Sequence, residues 1–544
     1  MRRGTSGAVP RGDAVRTRAR AMGAGLVCLS LVAAACGGDD NGGSATQATV
    51  DEGVKAGVEQ QLGGGTSTTE PAAPVERPTT MEDWEALWAE ERAAVVERIQ
   101  SEGLGLSADG TTLTGPEGFT IDLSACPAGW SNTEGLTDTE IKIGHTTALS
   151  GTLADYGNIA KAMELTYAYY NAEGVFTDSA GKTRSVNLIV KDDGYDAART
   201  IPLVDELIDS EKVFAMWTLG SPNTLKTYDK LNGRCIPQPF SMTGHPAWGD
   251  PVNHPWTTGL QLAYNTEAVL WGAFIEQRLQ EFGGQVKVAS LIMNNDFGKA
   301  YDSGFKAFLA QSPEAANIEY VTETIEPQAP TLKDPMTTLA AQQPDFFIAM
   351  IAGAPCVQAI TEAAENGMKE DVEYLFMPSV CKSASFVGKD KVGGDGSAAD
   401  GWWIIGGGAV DFNADATSDD AFVAWGRGLL SDAGIDYHTS GSFGSGFIFS
   451  FAMVQALQIA GELEGGLTRT NLVLAIRSMD LTHPLLLEGI KFNMNGNADP
   501  YFVEGSDIAK YDSAQQVWVQ EGDIIELSGK STPCAFDQAS GTCA

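Results

Sequence analysis

The sequence predicts an α/β protein whose main body consists of two doubly wound lobes, each built on a parallel sheet and joined to the other by a hinge. Short apolar strand segments alternate with helical segments, which is the pattern of βαβ units and parallel sheets. The alternation runs twice, before and after the Pro-rich connection "HPAWGDPVNHPWTTGLQ", which starts at His245. The length of 544 residues agrees with more than one lobe, because a single core rarely grows so large.

The chain begins with a segment that we interpret as a lipoprotein signal peptide, residues 1–35. Arginines precede the apolar run "AMGAGLVCLSLVAAAC", which has the length of a signal-peptide core and is short for a membrane span. Small residues then lead into Cys36 and "GGDDNGG", as in the lipobox of bacterial lipoproteins. We therefore expect acyl chains on Cys36 to hold the protein at the outer face of the bacterial cell membrane. The alternative is an ordinary secretory signal with an incidental cysteine.

Two further segments precede the main body. Residues 36–78 are rich in Gly, Ser, Thr and Pro and predict a flexible tether. Residues 79–130 predict a helix followed by a small hairpin, with Thr79 and Glu82 as the capping box of the helix. The apolar side chains on one face of this helix are Trp84, Leu87, Trp88, Val95 and Ile99. We expect this appendage to pack on the main body rather than to form a second binding site.

The strands and helices of the main body are predicted in regular order. Beyond the strand that begins at Ile141, strands are expected at residues 186–190, 213–217, 286–293, 318–323, 345–351, 374–377 and 401–405. Helices are expected at residues 156–171, 197–208, 223–231, 266–282, 298–309, 332–341 and 355–367. The remainder is a helical stretch over residues 419–479 and a tail with hairpins within 489–501 and 517–527. We assign residues 138–258 and 410–500 to lobe 1, and residues 259–409 and 501–544 to lobe 2.

The composition excludes one class of partner and indicates a compartment. The formal charge of −36 and the pI near 4.4 argue against a nucleic-acid partner, because phosphate binding needs clustered Lys and Arg. Setting aside Cys28 and Cys36 leaves six of the eight cysteines, and an even number predicts three disulfides in an exported protein. Six cysteines allow 15 connectivities, of which we favour Cys534–Cys543, Cys356–Cys381 and Cys126–Cys235. Without a close CxxC pair, zinc or thioredoxin-type chemistry is not expected.

Polar residues stand where the strands of the first run end. The segments are "IKIGHTTALSGTLADYGN", "MWTLGSPNTLK" and "CIPQPFSMTGHPAW". In open α/β sheets, ligands bind at the carboxyl ends of the strands, where helix N-termini present free N–H groups. Candidate ligand-binding residues at these ends are Gly220, Ser221, Ser241, Thr243 and Gly244. The second run offers matching ends in "LIMNNDFGKAY", "AMIAGAPCVQA" and "FMPSVCKSAS", so we expect capture of a small molecule by hinge closure.

Four stretches, in the right order, resemble the type I periplasmic-binding-protein family, specifically the leucine/isoleucine/valine-binding branch that serves ABC importers. They are the opening strand loop with "AMELTYAYYNAEGV", then "VKDDGYDAARTIPLVDELID", "KVASLIMNNDFGKAYDSGFKAFL" and "PDFFIAMIAGAPCVQAITEAAENGMK". The resemblance covers about residues 138–520 and implies the two-lobed type I periplasmic binding fold, also called a Venus flytrap.

The resemblance also implies a ligand pocket. Tyr156 would lean on the ligand, while Ser221 and residues 241–244 would hold its carboxylate through hydroxyls and backbone N–H groups. From the second lobe, Phe297 and Ala354 would contribute to the wall.

One position departs from the amino-acid binders of that family. Ser379 stands where they place an acidic residue for the ligand's ammonium group, and an unpaired buried ammonium is costly. An amino acid is therefore disfavoured unless Asp296 or another acid supplies the charge. An amide, a urea-like compound or a carboxylate without an amine fits equally well.

The sequence favours a binding protein over an enzyme, and no cofactor or metal is expected. It contains no Gly-x-Ser-x-Gly elbow, Walker A motif or HExxH pair. The acidic segment "DFNADATSDD" lacks the Gly and the final Glu of an EF-hand, so we interpret it as a solvated loop. We interpret the chain as a substrate-binding lipoprotein that delivers a small polar solute (branched-chain amino acid-like, amide or carboxylate) to an ABC permease in the cytoplasmic membrane. The alternative is a surface sensor that signals to a membrane receptor without import.

Overall fold

The computed structural model describes residues 50–62 and 77–543. The predicted signal peptide, the predicted lipidation site Cys36 and residues 37–49 and 63–76 of the predicted tether lie outside the described residues. Before the main body come α1 (Glu52–Leu62), α2 (Met81–Ser101), β1 (Gly105–Leu106), β2 (Thr112–Thr114) and β3 (Thr120–Asp122).

The elements of the main body follow in chain order. The first lobe begins with β4 (Glu140–Thr147), α3 (Gly157–Glu173), β5 (Ser185–Asp192), α4 (Ala197–Asp209), β6 (Ala215–Thr218), α5 (Ser221–Leu225), α6 (Tyr228–Gly233), β7 (Gln238–Ser241) and β8 (Thr257–Gly259). The second lobe contains α7 (Tyr264–Arg278), β9 (Val286–Met293), α8 (Asp296–Gln311), β10 (Ile318–Ile325), α9 (Lys333–Ala341), β11 (Phe346–Met350), α10 (Ala354–Glu365), α11 (Met368–Asp371), β12 (Tyr374–Met377), α12 (Ala384–Val387), α13 (Lys389–Val392) and β13 (Trp403–Ile405). The rest of the chain forms α14 (Ala421–Asp432), α15 (Ser442–Glu462), α16 (Arg469–Arg477), β14 (Asp480–Leu481), β15 (Phe492–Asn493), β16 (Ile508–Asp512), β17 (Val517–Gln520), β18 (Phe536–Asp537) and β19 (Thr542–Cys543).

Each lobe has its own mostly parallel sheet, which confirms the predicted α/β fold class. In the first lobe β4 lies between β5 and β6, and β7 continues beside β6 through bonds such as Met216 N–H to Pro237 O at 2.9 Å. In the second the order is β10-β9-β11-β12-β13-β16-β17, and only the last two strands run antiparallel to their neighbours. The strands β6, β11 and β12 are buried along their whole length, because helices cover both faces of a parallel sheet.

The long helix α15 forms the centre of the first lobe. It packs against α3, α16 and α2. Among the described residues it is the one helix long and apolar enough to cross a membrane, but 83% of its 18-residue apolar window is buried inside the protein. We therefore describe α15 as a core helix.

The two N-terminal helices pack on different lobes. The side chains of Trp84, Trp88, Val95 and Ile99 are buried beneath α2, and the indole of Trp88 donates to Thr482 O at 3.0 Å. The cap of α2 is Thr80, whose hydroxyl accepts from Asp83 N–H at 3.1 Å, one residue after the predicted capping box Thr79–Glu82. The predicted hairpin after α2 has a third strand, because β2 pairs with β3 as well as with β1.

The helix α1 corrects the prediction that residues 36–78 are a flexible tether throughout. It packs on α7 of the second lobe. Val54 and Val58 stand one helical turn apart and are buried, while the side-chain amide of Gln61 donates to Glu526 O at 2.7 Å. The spacing of the two valines was the signal that the Gly- and Ser-rich composition of the segment concealed.

Two predicted helical stretches are divided in the structure. Residues 223–231 fall into α5 and α6, which are separated at Thr227, where the hydroxyl donates back to Asn223 O at 3.0 Å. Residues 419–479 fall into α14, α15 and α16. The left-handed Gly434, with φ of 73°, ends the first of these helices, because such a backbone conformation cannot continue a helix. The second helix ends where the backbone becomes extended, at Leu463.

The strands of the two predicted tail hairpins pair with other strands, although Asn495 and Asp499 do form an antiparallel bridge within the first of them. The strand β15, within residues 489–501, pairs with β14 rather than with its own neighbouring residues. The strand β17, within the second predicted hairpin, pairs with β16 across a turn between Asp512 and Val517. The buried side chains of Ile508 and Ala509 explain the difference, because they place β16 beside β13 in the second sheet.

The end of the chain does not stay with the lobe to which we assigned residues 501–544. Although β16 and β17 belong to the second sheet, the hydroxyl of Tyr501 donates to Pro246 O at 2.9 Å and Cys534 N–H donates to Gly249 O at 2.7 Å in the first lobe. Gly249 permits this contact, because a Cβ there would lie 2.1 Å from the Tyr501 ring. All three favoured disulfides are present: Cys126–Cys235, Cys356–Cys381 and Cys534–Cys543.

Candidate functional site

A cavity of about 150 Å³ lies between the lobes, at the carboxyl ends of strands from both sheets. Gly220 follows β6 and Ser379 follows β12, so each sheet directs a strand end at this space. The wall is mostly apolar. Its aromatic side chains include Tyr156, Tyr195, Tyr264, Phe297, Phe386 and Phe449.

Four of the nine predicted ligand-binding residues line this cavity. They are Tyr156, Gly220, Phe297 and Ser379. They were predictable because the direction of a parallel strand determines which end of it reaches the cleft.

The other five predicted residues do not line the cavity. Ser221 and Thr243 are buried, and their hydroxyls share a hydrogen bond of 2.6 Å. Ser241 is also fully buried, and Ala354 lies at the rim, where its N–H donates to Thr152 O at 3.3 Å. A Cβ on Gly244 would lie 2.3 Å from Leu262 O and 2.7 Å from the Tyr264 ring.

Two tyrosine rings cover the strand ends of the first lobe. A Cβ on Gly220 would lie 2.3 Å from the ring of Tyr195, and the Tyr264 ring lies against Gly244. Both rings are cavity-lining. The backbone at Gly220 and Gly244 is therefore in close contact with these two rings, and of the two glycines Gly220 lines the cavity.

Sequence reasoning missed two charged residues in the wall, Lys382 and Asp411. Lys382 stood within the strand end "FMPSVCKSAS", and Asp411 opens the acidic segment that we interpreted as a solvated loop. The only available signal was their position in the chain, because Lys382 lies five residues after the end of β12 and Asp411 lies six residues after the end of β13. Asp296, the acid that we considered first for an ammonium group, is not among the residues lining the cavity.

Lys382 is neutralised by a buried carboxylate at the hinge. Its ammonium group donates to Asp507 Oδ2 at 2.8 Å and to Ala409 O at 2.7 Å. Asp507 Oδ1 in turn accepts from Gly408 N–H at 3.1 Å. Residues 405–410 and the residues before β16 both connect the lobes, so this network joins the cavity wall to the hinge.

Asp411 has no such counter-charge. No Lys, Arg or His side chain in the described part of the chain lies within 4.0 Å of its carboxylate; Oδ1 accepts from Asn413 N–H at 3.1 Å. Burial raises the pKa of Asp411 above its ordinary value, although the hydrogen bond from Asn413 N–H and the charges of Lys382 and Arg427 act in the other direction. The wall therefore has one paired cation and one unpaired carboxylate.

A second buried carboxylate stands directly behind Ser379. Glu267 Oε1 accepts from Ser379 N–H, and Oε2 accepts from the hydroxyls of Ser379 and Tyr301, each at 2.8 Å. Burial raises the pKa of Glu267 to about 7, although these three donors favour the ionised form. The acid missing from position 379 is thus present in the structure, but it is bound to the protein rather than facing the cavity.

The two lobes touch each other over the cavity. Gly353 N–H donates to the hydroxyl of Tyr156 at 3.2 Å, and the hydroxyl of Thr152 donates to Pro327 O at 3.0 Å. The hydroxyl of Ser385 donates to Asp155 Oδ2 at 3.2 Å. This is a closed arrangement, in which a molecule in the cavity contacts both lobes.

The family model described as periplasmic binding protein matches residues 140–500. The chain belongs to the periplasmic binding protein family. No curated protein matches the sequence. Within the described structure, the family match covers the first sheet, the strands β9 to β13 of the second sheet and all the residues that line the cavity.

Solved structures of the periplasmic binding protein type share the fold at low identity. A fatty acid ABC transporter substrate-binding protein from Thermomonospora curvata is 20% identical, with 73% of this chain and 96% of that chain covered and a TM-score of 0.58. A branched chain amino acid ABC transporter from Thermus thermophilus with bound valine is 15% identical, with 72% and 97% covered and a TM-score of 0.57. A solute binding protein of an ABC transporter from Rhodopseudomonas palustris BisB5, in complex with 3,4-dihydroxy benzoic acid, is 18% identical, with 71% and 97% covered and a TM-score of 0.55.

Removing one partner of the hinge ion pair is expected to destabilise the protein. Lys382→Met leaves the carboxylate of Asp507 buried without a counter-charge, which costs about 3–5 kcal/mol. The double variant Lys382→Met/Asp507→Asn removes both charges and keeps an oxygen for Gly408 N–H. It is therefore expected to lose less stability than the single variant Lys382→Met. Urea unfolding of the three proteins measures the difference. A single variant as stable as the native protein would contradict the role of this pair.

The Glu267 carboxyl is expected to make stability depend on pH. The folded protein retains its proton up to about pH 7, whereas the unfolded chain releases it near 4.5. Stability from this group is therefore present at low pH and is lost as the pH rises through that window. Relative to the native protein, Glu267→Gln is expected to gain up to about 3 kcal/mol between pH 5 and pH 8, as measured by urea unfolding. Glu370→Gln, at an exposed position, is the matched control, and equal pH slopes in all three proteins would contradict the assignment.

Proposed function

We propose that the protein is the substrate-binding component of an ABC importer, anchored outside the cell membrane by acyl chains on Cys36. The observation that carries the proposal is the cavity between two strand-end surfaces, closed over by contacts between the lobes. A molecule that bridges the lobes stabilises the closed form by its differential affinity for it. A permease then recognises the loaded, closed protein.

The cavity supports a ligand of limited size with an apolar body. A cavity near 150 Å³ accepts a molecule of about the size of benzene. The aromatic rings of Tyr156, Phe297 and Phe386 supply flat apolar contact surfaces, and a ring or a branched alkyl group fits between them. Among the related structures, one is a fatty acid transporter component, one holds valine and one holds 3,4-dihydroxy benzoic acid, so the same fold accommodates apolar bodies with different polar ends.

Ligand binding is expected to raise the melting temperature of the purified protein. A ligand at 100 times its dissociation constant adds about 2.7 kcal/mol of stability. The panel is branched-chain and aromatic amino acids, amides, amines and carboxylates with small apolar bodies. Ser445 lines the cavity at the start of α15, so Ser445→Phe is expected to fill it and abolish the shift.

Ser445→Ala is the matched control, because it alters the same position without filling space. A ligand-induced shift that survives Ser445→Phe would place the binding site elsewhere. Binding of a solute without its uptake by cells would favour the surface-sensor alternative over the importer.

The lipid anchor has a separate test in cells. Native protein is expected in the membrane fraction, because several acyl chains on one residue hold a folded domain firmly. Cys36→Ser removes the acylated thiol and is expected to move the protein into the soluble fraction. Cys28→Ser, within the predicted signal peptide, serves as the control for loss of a cysteine. Membrane retention of the Cys36→Ser protein would contradict anchoring at this residue.

A further inference from the structure

Three of the four serines of the cavity wall donate their hydroxyl hydrogens to the protein, and the hydroxyl of the fourth, Ser445, makes no hydrogen bond to the described residues. The hydroxyl of Ser442 donates to Asp155 Oδ2 at 2.9 Å, and that of Ser379 donates to Glu267 Oε2 at 2.8 Å. A hydroxyl has one hydrogen to donate and two lone pairs to accept. Towards the cavity, both serines therefore offer acceptors.

Ser383 and Asn413 also present acceptors towards the cavity. The hydroxyl of Ser385 donates to Asp155 Oδ2 at 3.2 Å, so the bond of 2.7 Å between Ser383 and Ser385 takes its hydrogen from Ser383. The side-chain amide of Asn413 donates to the carbonyls of Tyr437 and Ser440, which uses both of its N–H bonds. Its remaining capacity is the acceptor Oδ1.

The charged residues of the wall also favour a ligand that donates hydrogen bonds. The ammonium group of Lys382 is occupied by Asp507 and Ala409 O, and the ion pair is buried, with exposed fractions of 11% and 4% for the two side chains. Asp411 is the one acid among the residues that line the cavity, and no cation of the described residues pairs with it. Net negative charge in an apolar space favours a cation.

The positions that would hold a carboxylate are closed. The hydroxyls of Ser221 and Thr243 are bonded to each other, and the rings of Tyr195 and Tyr264 lie over the strand ends at Gly220 and Gly244. A ligand carboxylate would find neutral donors in the hydroxyls of Tyr195 and Ser445, which make no hydrogen bond to the described residues, but no free cation. Burying a carboxylate without a counter-charge is costly, and Asp411 in the same wall adds repulsion.

We propose that the ligand is a small primary amine with an apolar or aromatic body and no carboxylate, whose ammonium group is bound by Asp411. This inference rests on the proposed function and names its substrate class. The ammonium group carries three donors and no acceptor, which matches the acceptors of Ser442, Asn413 and Asp411. The apolar body lies between the aromatic rings.

Matched pairs of probes test the inference with the native full-length protein. The pairs are benzylamine with phenylacetate, and isopentylamine with 4-methylpentanoate; L-leucine carries both charged groups. Calorimetry at pH 8 keeps the amines protonated and Glu267 ionised. Each amine is expected to bind at least tenfold more tightly than its acid partner and more tightly than L-leucine.

A pair of variants tests the residue. Asp411→Asn keeps the shape of the side chain and removes its charge, and it is expected to weaken amine binding roughly 10- to 100-fold. Asp419→Asn makes the same change at an exposed position nearby and is expected to bind like the native protein. Melting temperatures of both variants without ligand establish that they are folded.

The outcomes separate the two proposals. Tighter binding of an acid or of L-leucine, or amine binding that Asp411→Asn leaves unchanged, overturns this inference and leaves the solute-binding function standing. Absence of binding by every probe and by the wider panel overturns the proposed function and the inference with it.

Discussion

The ion pair between Lys382 and Asp507 is the interaction on which the cavity and the hinge both depend. It joins the strand end after β12 to the connection that enters β16. Asp507 also accepts from Gly408 N–H at 3.1 Å, and a Cβ on Gly406 would lie 2.1 Å from its Oδ1. The two connections can run side by side only with a glycine at this point. Because the same carboxylate neutralises the one cation of the cavity wall, the geometry of the hinge also determines the charge that a ligand meets.

The closed arrangement is held by few polar contacts between the lobes. Those made by Tyr156, Thr152 and Ser385 are single hydrogen bonds at the rim, and each contributes about 1 kcal/mol net. Contacts of this strength favour the closed form but leave the open form accessible. The apolar wall allows a bound molecule to contribute more of the stability of the closed form than these hydrogen bonds do, because its body is buried against both lobes only in that form. The disulfides lie within single lobes or their tails and leave the hinge free to move.

The sequence predicted correctly which strand ends reach the cavity. It did not predict which polar groups at those ends face the cavity and which bond to the protein. Tyr156, Gly220, Phe297 and Ser379 reach the cavity because the direction of each strand determines its position. A hydroxyl near a strand end can instead bond to another hydroxyl, as Ser221 does to Thr243. The pattern of strands does not show this bond, nor the rings of Tyr195 and Tyr264 that lie against Gly220 and Gly244 beside it. The burial of α1 is similar, because two valines become a packing surface only when α7 is present.

The polarity of this cavity depends on what lies behind its wall more than on the residue types in it. Ser379 is a neutral side chain, yet Glu267 behind it takes its hydrogen and leaves acceptor lone pairs towards the cavity. Asp155 does the same to Ser442. Exchanging one buried acid for an amide would reverse the direction of such a bond without altering the lining. A fold whose strand ends keep their positions can therefore change the polarity of its cavity through the side chains behind the wall, and behind Ser379 and Ser442 these side chains are acids.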